Sequence, residues 1–364
     1  MPNKYILAIN PGSTSTKVAI FLEEESILKK NIFHTAEELS PFKRIIEQHE
    51  FREKMIFQFL KENSFDTHLL AAVVGRGGLL TPMKSGTYRV SDAMIEYLKH
   101  TQLEHASNLG AILAHDIART VGIEAYIVDP VVVDEMEDIA RITGFPEIQR
   151  ISIFHALNQK AAARQAAKKL QKKYEECHLI VAHLGGGISI GAHRRGAVVD
   201  VNNALNGDGP FAPERAGSLP SWSLVELALS GKYDQQTLKK KITGQGGIVA
   251  HLHTNDMRRV EELVKDGDRR AELIYRSMAY NIAKEIASLA PVLEGRIDAI
   301  VITGGIAFDN DFVDLIRRRI DFLAPLIILP GEDEMAALTQ GALRVLQGEE
   351  EARTWTANSG GKFV

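Results

Sequence analysis

The stretch that decides the fold is Lys4-Tyr-Ile-Leu-Ala-Ile-Asn10, then Pro11-Gly-Ser-Thr-Ser15, then Thr16-Lys-Val-Ala-Ile-Phe-Leu22. Two apolar runs flank a turn-rich pentad, the pattern of a β-hairpin. A charged turn at residues 23–25 leads to a third strand-like run, residues 26–33. The same order returns later. Cys177-His-Leu-Ile-Val-Ala-His183 is followed by Leu184-Gly-Gly-Gly187 and Ile188-Ser-Ile-Gly-Ala192, then by a charged turn and Ala197-Val-Val-Asp-Val201.

The parallel continues downstream. Residues 42–63 carry Ile45, Ile46, Met55, Ile56, Phe59 and Leu60 at mostly helical spacing, ahead of the apolar run 69–75. Ile274, Met278, Ile282, Ile286 and Leu289 make one helical stripe ahead of Asp298-Ala-Ile-Val-Ile-Thr-Gly304. Short strands are expected at 124–129 and 325–329, with helices beginning near Val133 and Asp333. Both halves therefore read βββαβαβα, an α/β class. Continuous apolar strands between helices imply sheets covered on both faces. Two such domains are expected to face each other across a ligand-holding cleft. The expected boundaries are 1–150, completed by a C-terminal helix at about 335–350, then 151–334, then a polar, frayed tail at 351–364.

Composition narrows the function. At about 150 residues per domain, 364 residues suggest two domains. Lys+Arg 43 against Asp+Glu 47 gives a net charge of −4, which argues against a broad nucleic-acid surface. A hydrophobic fraction of 45% and a charged fraction of 25% are ordinary globular values. The single cysteine, Cys177, excludes an intrachain disulfide and a thiolate metal cluster, and fits a reducing compartment. No apolar run approaches the ~18 residues of a membrane helix. Residues 5–9 are too short an apolar run for a signal peptide. A soluble cytoplasmic protein is expected.

The glycine-rich turns carry the first chemical signal. No G-x-x-x-x-G-K-[ST] occurs, and the G-x-G-x-x-A match at Gly207, Gly209 and Ala212 is broken by Pro210 and Pro213, so neither common nucleotide fingerprint applies. Asn10, Gly12, Ser13, Thr14 and Ser15 instead place small residues and hydroxyls where successive N–H groups can cradle a phosphate, with Lys17 adding charge. Gly185, Gly186 and Gly187 do the same in the second half. Gly304, Gly305 and Ile306 follow another apolar strand, where backbone can lie against a nucleotide. Each alone reads as a turn; three at equivalent strand ends point to a ligand.

These residues resemble the acetate and butyrate kinases of the actin-like ATPase and sugar-kinase superfamily. The resemblance rests on Ile9-Asn-Pro-Gly-Ser-Thr-Ser-Thr-Lys17, Val74-Gly-Arg-Gly-Gly78, Ile153-Phe-His-Ala156, Ala182-His-Leu-Gly-Gly-Gly187, Asn255-Asp-Met-Arg258 and Val301-Ile-Thr-Gly-Gly305. It runs from the first strand to about Gln347. Residues 206–220, Asn-Gly-Asp-Gly-Pro-Phe-Ala-Pro-Glu-Arg-Ala-Gly-Ser-Leu-Pro, are similar to the butyrate kinase branch in particular. The implied fold is a duplicated ribonuclease H-like, actin-like ATPase pair of domains. The implied activity is reversible transfer of the ATP γ-phosphoryl group to a short-chain carboxylate such as butyrate or isobutyrate, with Mg²⁺ as cofactor; the alternatives are an acetate or propionate kinase and, further off, a non-carboxylate kinase or ATPase of the same superfamily. The implied assembly is a homodimer or larger homo-oligomer, with no nucleic-acid or membrane partner.

The residue chemistry agrees with that expectation. A carboxylate acceptor is already ionised at pH 7 and needs no general base, and the first strand ends in Asn10, an amide that cannot take a proton. The reaction needs positive charge where two anions meet. By the resemblance Arg76 and Arg215 supply it, Arg presenting a planar fork to phosphate or carboxylate; a surface salt bridge is the plainer alternative for each. His155 matches the family's transition-state histidine, as a cation or an N–H donor, or else is a cap or core residue. Asp129 matches an active-site aspartate, or caps a turn beside Pro130. His183 is expected to line the phosphate site, and His105 matches another family histidine with less local support. For Mg²⁺ the resemblance implies Asn10 with Asp333 or Glu334 from the acidic run 332–334, which can equally be a favourable first helical turn. For adenosine it implies Asp256, Arg258 and the turn at Gly304, Gly305 and Ile306, although Asp256 also suits a helix N-cap. One departure stands out. Acetate kinases of the family carry Gly-Thr-Ser-His after the motif histidine; here the run is Ala156-Leu-Asn-Gln159, and the chain is shorter, which favours a longer or branched acid. His251-Leu-His253 lacks a third ligand for zinc, and Trp222 reads as core or interface.

Overall fold

The computed structural model describes residues 5–357. The strands are β1 (Tyr5–Pro11), β2 (Ser15–Leu22), β3 (Glu25–Phe33), β4 (Leu70–Arg76), β5 (Thr87–Arg89), β6 (Glu124–Val128), β7 (His178–Leu184), β8 (Ile188–Arg194), β9 (Ala197–Val201), β10 (Ala299–Gly304), β11 (Leu326–Pro330) and β12 (Arg353–Thr354). They form two sheets, ordered β12-β5-β6-β4-β1-β2-β3 and β11-β10-β7-β8-β9. Apart from β5 and β12, the first order matches the second strand for strand. In each, an antiparallel three-stranded meander is extended by two parallel strands. The fold is thus α/β and duplicated, as the paired hairpins imply.

The chain divides into two compact units, one comprising the chain up to Asp134 together with the chain from Asp333 onward, the other Glu135–Glu332. Residues 135–150 belong with the second unit, because Glu135 accepts hydrogen bonds from Lys160 Nζ and Val198 N, and Glu137 N donates to Val199 O. Ile6, Leu7, Ala8 and Ile9 are all fully buried, as are Leu179, Ile180, Val181 and Ala182. Successive strand residues point to opposite faces, so both faces of each sheet are covered. In the first unit the cover includes helices Asn108–Val121 and Glu334–Gln347, both packed on β1, β4 and β6. In the second it includes helices Ala156–Lys169, Arg269–Ser288 and Asn310–Ile320.

Three expectations are corrected. The helix expected near Val133 is absent: Val133 bridges Met83, and the next helix is only Asp138–Arg141. Residues 130–133 instead form a hydrogen-bonded turn, Val133 N donating to Pro130 O at 2.9 Å, and three β-branched valines in a row do not favour continuing it as a helix. The tail is not frayed where it is described. β12 pairs with β5, and Trp355 is buried, edge-on to Tyr97 at 5.1 Å, with its indole N–H donating to Thr81. The rest of the expected tail, 358–364, lies outside the described residues. Of the core and interface readings of Trp222 the structure excludes the first: it is 71% exposed on helix Ser221–Leu229, which buries none of its residues. The helix over 42–63 begins as a 3₁₀ turn at Ile45 and is α-helical over His49–Glu62.

Candidate active site

In the first unit, β1, β4 and β6 are parallel, so their C-terminal ends lie on one edge of the sheet, where α/β folds bind ligands. Asn10 stands at the end of β1, Arg76 closes β4, and Asp129 follows β6. Helix Glu334–Gln347 starts at the same place. Asn10 Nδ2 donates to one oxygen of Glu334, Arg76 Nη1 donates to the other, and Arg76 Nη1 lies 3.5 Å from Asn10 Oδ1. Lys17 is the cross-strand partner of Asn10, so their side chains share a face. Close backbone packing fixes Arg76 from behind: a Cβ on Gly75 would lie 2.0 Å from Gly110 O, and one on Gly110 would lie 2.2 Å from Arg76 O. Asp129 is buried in a left-handed conformation, φ 38°, and Gly86 N donates to its carboxylate at 2.7 Å. A non-glycine residue held at positive φ costs ~1–3 kcal/mol, so strain is stored at this strand end.

The turn between β1 and β2 is held by a residue that no short motif marks. Arg52, on helix His49–Glu62, is wholly buried. Its guanidinium donates to Gly12 O (2.8 Å), Ser15 O (3.0 Å), Ser13 O (3.1 Å) and Thr16 Oγ1 (3.1 Å), while His34 N takes Thr14 O. The carbonyls of residues 12–15 are therefore all committed inward. An anion-holding turn requires this, because an outward carbonyl would repel phosphate. Burial lowers the Arg52 pKa to about 10, and burial with the Arg52 charge lowers His34 to about 4. The signal was available: Arg52 falls on the apolar stripe of its helix, three and four residues before Met55 and Ile56. Ser13 is exposed, whereas Ser15 opens β2.

In the second unit, His183 on β7 faces Ser189 on β8 across the Gly185–Gly187 turn. The His155 ring, at the start of helix Ala156–Lys169, stacks on His183 with centroids 4.3 Å apart, and its Nδ1 lies 2.9 Å from Ser189 Oγ. His183 Nε2 lies 3.3 Å from Glu332 Oε2, which accepts from Asn158 Nδ2 at 2.9 Å. Arg215 lies directly on the glycine turn: a Cβ on Gly187 would fall 1.4 Å from Arg215 Nη1. Only glycine admits the guanidinium there. Burial lowers the Arg215 pKa, Glu214 opposing, and its Nε is buried with no hydrogen-bond partner among the described residues. The flanking loop is pinned by Ala212 N to Arg215 O and Gly246 N to Glu214 O, both 3.0 Å. Gly304, at φ 93°, completes the group; a Cβ on it would meet Leu184 O at 2.3 Å, so it abuts the strand end that leads into Gly185. Gly305 and Ile306 begin the 3₁₀ turn that follows.

The three consecutive acids of 332–334 part company. Glu332 turns to His183, Asp333 caps its helix by accepting from Ala336 N at 3.0 Å, and Glu334 joins Asn10 and Arg76. Asp256 is the N-cap of helix Met257–Lys265, and its carboxylate is paired with the exposed Arg258 side chain at 2.8 Å. His105 sits in a small pocket with Asn108, Glu104 and Arg44; burial and then Arg76 lower its pKa.

Known proteins extend this picture. Residues 146–326 match the acetokinase family. Butyrate kinase 2 of Clostridium acetobutylicum is 53% identical over 351 residues, covering 96% of this chain and 99% of that protein. The chain belongs to the acetokinase family. Two solved members carry the same fold. The Porphyromonas gingivalis acetate kinase aligns with a TM-score of 0.78 at 18% identity, covering 94% of this chain and 100% of that one. The Francisella tularensis propionate kinase aligns at 0.73 and 19%, covering 93% and 98%. Among the described residues, no helix is long and apolar enough to cross a membrane. Membership makes this chain an ATP-dependent carboxylate kinase by descent, with the strand-end glycines and arginines above as its candidate machinery.

Proposed function

We propose that this chain transfers the γ-phosphoryl group of ATP reversibly to butyrate or a short branched-chain acid such as isobutyrate. The observation that carries this reading is Arg215: a half-buried guanidinium seated on a glycine that leaves it room, with one N–H unpartnered. Such a group is suited to an anion that arrives, not to a protein carboxylate already present. Arg76, beside Asn10, is the second cation and is assigned to the acceptor carboxylate. In the reaction a carboxylate oxygen forms the new bond to γ-phosphorus, the bond from γ-phosphorus to the β,γ-bridging oxygen breaks, and ADP leaves with that electron pair. No proton is lost by the acceptor, so the site needs charge stabilisation and no general base.

The remaining roles follow from position. The amides at Gly185, Gly186 and Gly187 and at Ser13 and Ser15 are assigned to the phosphates, with Lys17 and His183. Gly304, Gly305 and Ile306, with Asp256 and Arg258, are assigned to the nucleoside. His155 donates to the transferring phosphoryl group, and Asp129 orders the strand end beside Arg76. Asn10 and Glu334 are assigned to Mg²⁺ as oxygen donors; Asn10 Nδ2 and Arg76 Nη1 hold the two Glu334 oxygens, so the ion would displace these bonds and, when bound, would neutralise phosphate charge there. Asp333 is left with its capping role. ATP dependence and a single cysteine support a cytoplasmic location.

We also assign a homo-oligomeric state, since Trp222, Val225 and Leu229 form an exposed apolar stripe on one helix. Light scattering should give a dimer or larger, and Trp222→Glu should reduce its mass. The activity is tested by trapping the acyl phosphate with hydroxylamine across C2–C6 acids. Butyrate or isobutyrate should give the highest kcat/KM. Acetate exceeding butyrate tenfold would overturn the chain-length assignment, and no hydroxamate with any acid would overturn the function.

A further inference from the structure

A buried polar chain behind His155 fixes the state of that ring. Gln159, Ser189 and His193 are fully buried. Gln159 Nε2 lies 3.0 Å from Ser189 O and 2.8 Å from Ser189 Oγ. A carbonyl oxygen only accepts, so the amide nitrogen faces Ser189 and uses both its hydrogens there. Gln159 Oε1 therefore faces His193 Nε2, 3.0 Å away, and His193 is the donor. The Nδ1 of His193 then carries no proton and accepts a hydrogen bond from the Tyr174 hydroxyl at 2.7 Å. Full burial keeps His193 neutral.

The count at Ser189 now closes. Its Oγ accepts from Gln159 Nε2 and, at 3.4 Å, from the backbone N–H of His155. A hydroxyl has two lone pairs and one proton. With both pairs engaged, the proton goes to the remaining neighbour, His155 Nδ1, at 2.9 Å. An imidazole whose Nδ1 accepts carries its own proton on Nε2. We propose that Gln159 and Ser189 are positioning residues that hold His155 as the neutral Nε2–H tautomer, a fixed hydrogen-bond donor rather than a base. The inference rests on the assignment of His155 to the phosphoryl group made above. It accounts for Gly191, where a Cβ would come within 2.7 Å of Gln159 Oε1, so that glycine leaves the relay its room. It also gives a use to Gln159, the last residue of the run in which this chain departs from the acetate kinase pattern. A base is of no use where the acceptor brings no proton, and a pre-oriented N–H costs no reorganisation when charge develops on the phosphoryl oxygens.

The test is the tautomer itself. In histidine-¹⁵N-labelled protein, long-range ¹H–¹⁵N spectra report which nitrogen is protonated, with His155 assigned by comparison with His155→Asn. The wild type should show Nδ1 bare and Nε2 protonated. Ser189→Ala removes the donor to Nδ1, so both tautomers should appear and kcat should fall about tenfold or more, with KM for ATP and acid within about twofold. In Gln159→Glu a carboxylate accepts where the amide donated. The Ser189 hydroxyl then turns toward Glu, and His155 should invert to Nδ1–H. A wild-type proton on Nδ1, or an unchanged Nε2–H signature in both variants, would overturn the relay. Unchanged kcat in His155→Asn would instead overturn the placement of His155.

Discussion

Replacing Gly187 with alanine isolates the central contact. The added Cβ would sit 1.4 Å from Arg215 Nη1 and 2.6 Å from Cζ. Ordinary carbon contacts begin near 3.5 Å, so the guanidinium must retreat by about 2 Å. A misplacement of about 1 Å at a reacting centre can cost ~10²-fold, and loss of one charge-stabilising donor costs about 10²–10³ in kcat, or ~2.7–4 kcal/mol. We therefore expect kcat for hydroxamate formation to fall by about 10²–10³. The fold should be nearly indifferent, since Gly187 is not among the positive-φ glycines and the atom displaced is the end of a flexible side chain. The change in unfolding free energy should stay below about 1 kcal/mol by denaturant titration. A double-mutant cycle sharpens the test. If Gly187→Ala acts only by displacing Arg215, then adding it to Arg215→Ala should cost nothing further. Full additivity of the two losses, or near-normal turnover in Gly187→Ala, would refute the reasoning.

Other expectations follow from the same geometry. Glu334→Gln should raise the Mg²⁺ concentration needed for half-maximal activity about tenfold or more, whereas Asp333→Ala should leave it unchanged and cost about 1 kcal/mol of stability as a lost helix cap; the opposite pattern in a Mg²⁺ titration would exchange their roles. Arg52→Leu leaves several buried acceptors of the β1–β2 turn unpaired, each worth ~1–3 kcal/mol, and should raise KM for ATP, with Arg52→Lys recovering part of the affinity. Its nucleotide affinity matching the wild type would remove Arg52 from the phosphate side. For His34, the folded pKa of about 4 lies below the ordinary 6.5, so the unfolded chain binds the proton first as pH falls. Its contribution should be complete above pH 6.5 and be lost as pH drops from there toward about 4. His34→Gln should flatten stability over that window in chemical denaturation, and an unaltered pH dependence would contradict the burial argument.

The fold was legible because both hairpins announce themselves in composition. The apolar runs break at Pro11-Gly-Ser-Thr-Ser15 and at Gly185-Gly-Gly187, and such breaks admit few other structures. Arg76, Asn10, His155, His183 and Arg215 are singled out by short motifs, and the structure places Arg76 and Asn10 together in one unit, and His155 and His183 together in the other, where Arg215 lies on Gly187. What stayed hidden depends on distance in sequence. Nothing local distinguishes Asp333 from Glu334; successive residues at a helix start point in different directions, and only the partner 324 positions away tells them apart. Gln159 reads as one polar residue on an alanine-rich helix until Ser189 and His193, 30 and 34 residues on, arrive beside it. Arg52 was readable in principle, as the charge on an apolar stripe. The helix misread near Val133 and the tail misread around Trp355 share one cause. In each a general pattern outweighed a local signal: the parallel between the halves outweighed Pro130 in one case, and polar composition outweighed a single aromatic in the other.

The most direct measurement follows the acceptor oxygen. Butyrate labelled with ¹⁸O in both carboxyl oxygens is incubated with ATP·Mg and enzyme, and the acyl phosphate is cleaved by hydroxylamine at its carbonyl carbon. Direct attack of the carboxylate on the γ-phosphoryl group predicts that the released phosphate carries one ¹⁸O, visible by ³¹P NMR. Phosphate without ¹⁸O would show that the carboxylate never bonds to phosphorus and would contradict the account.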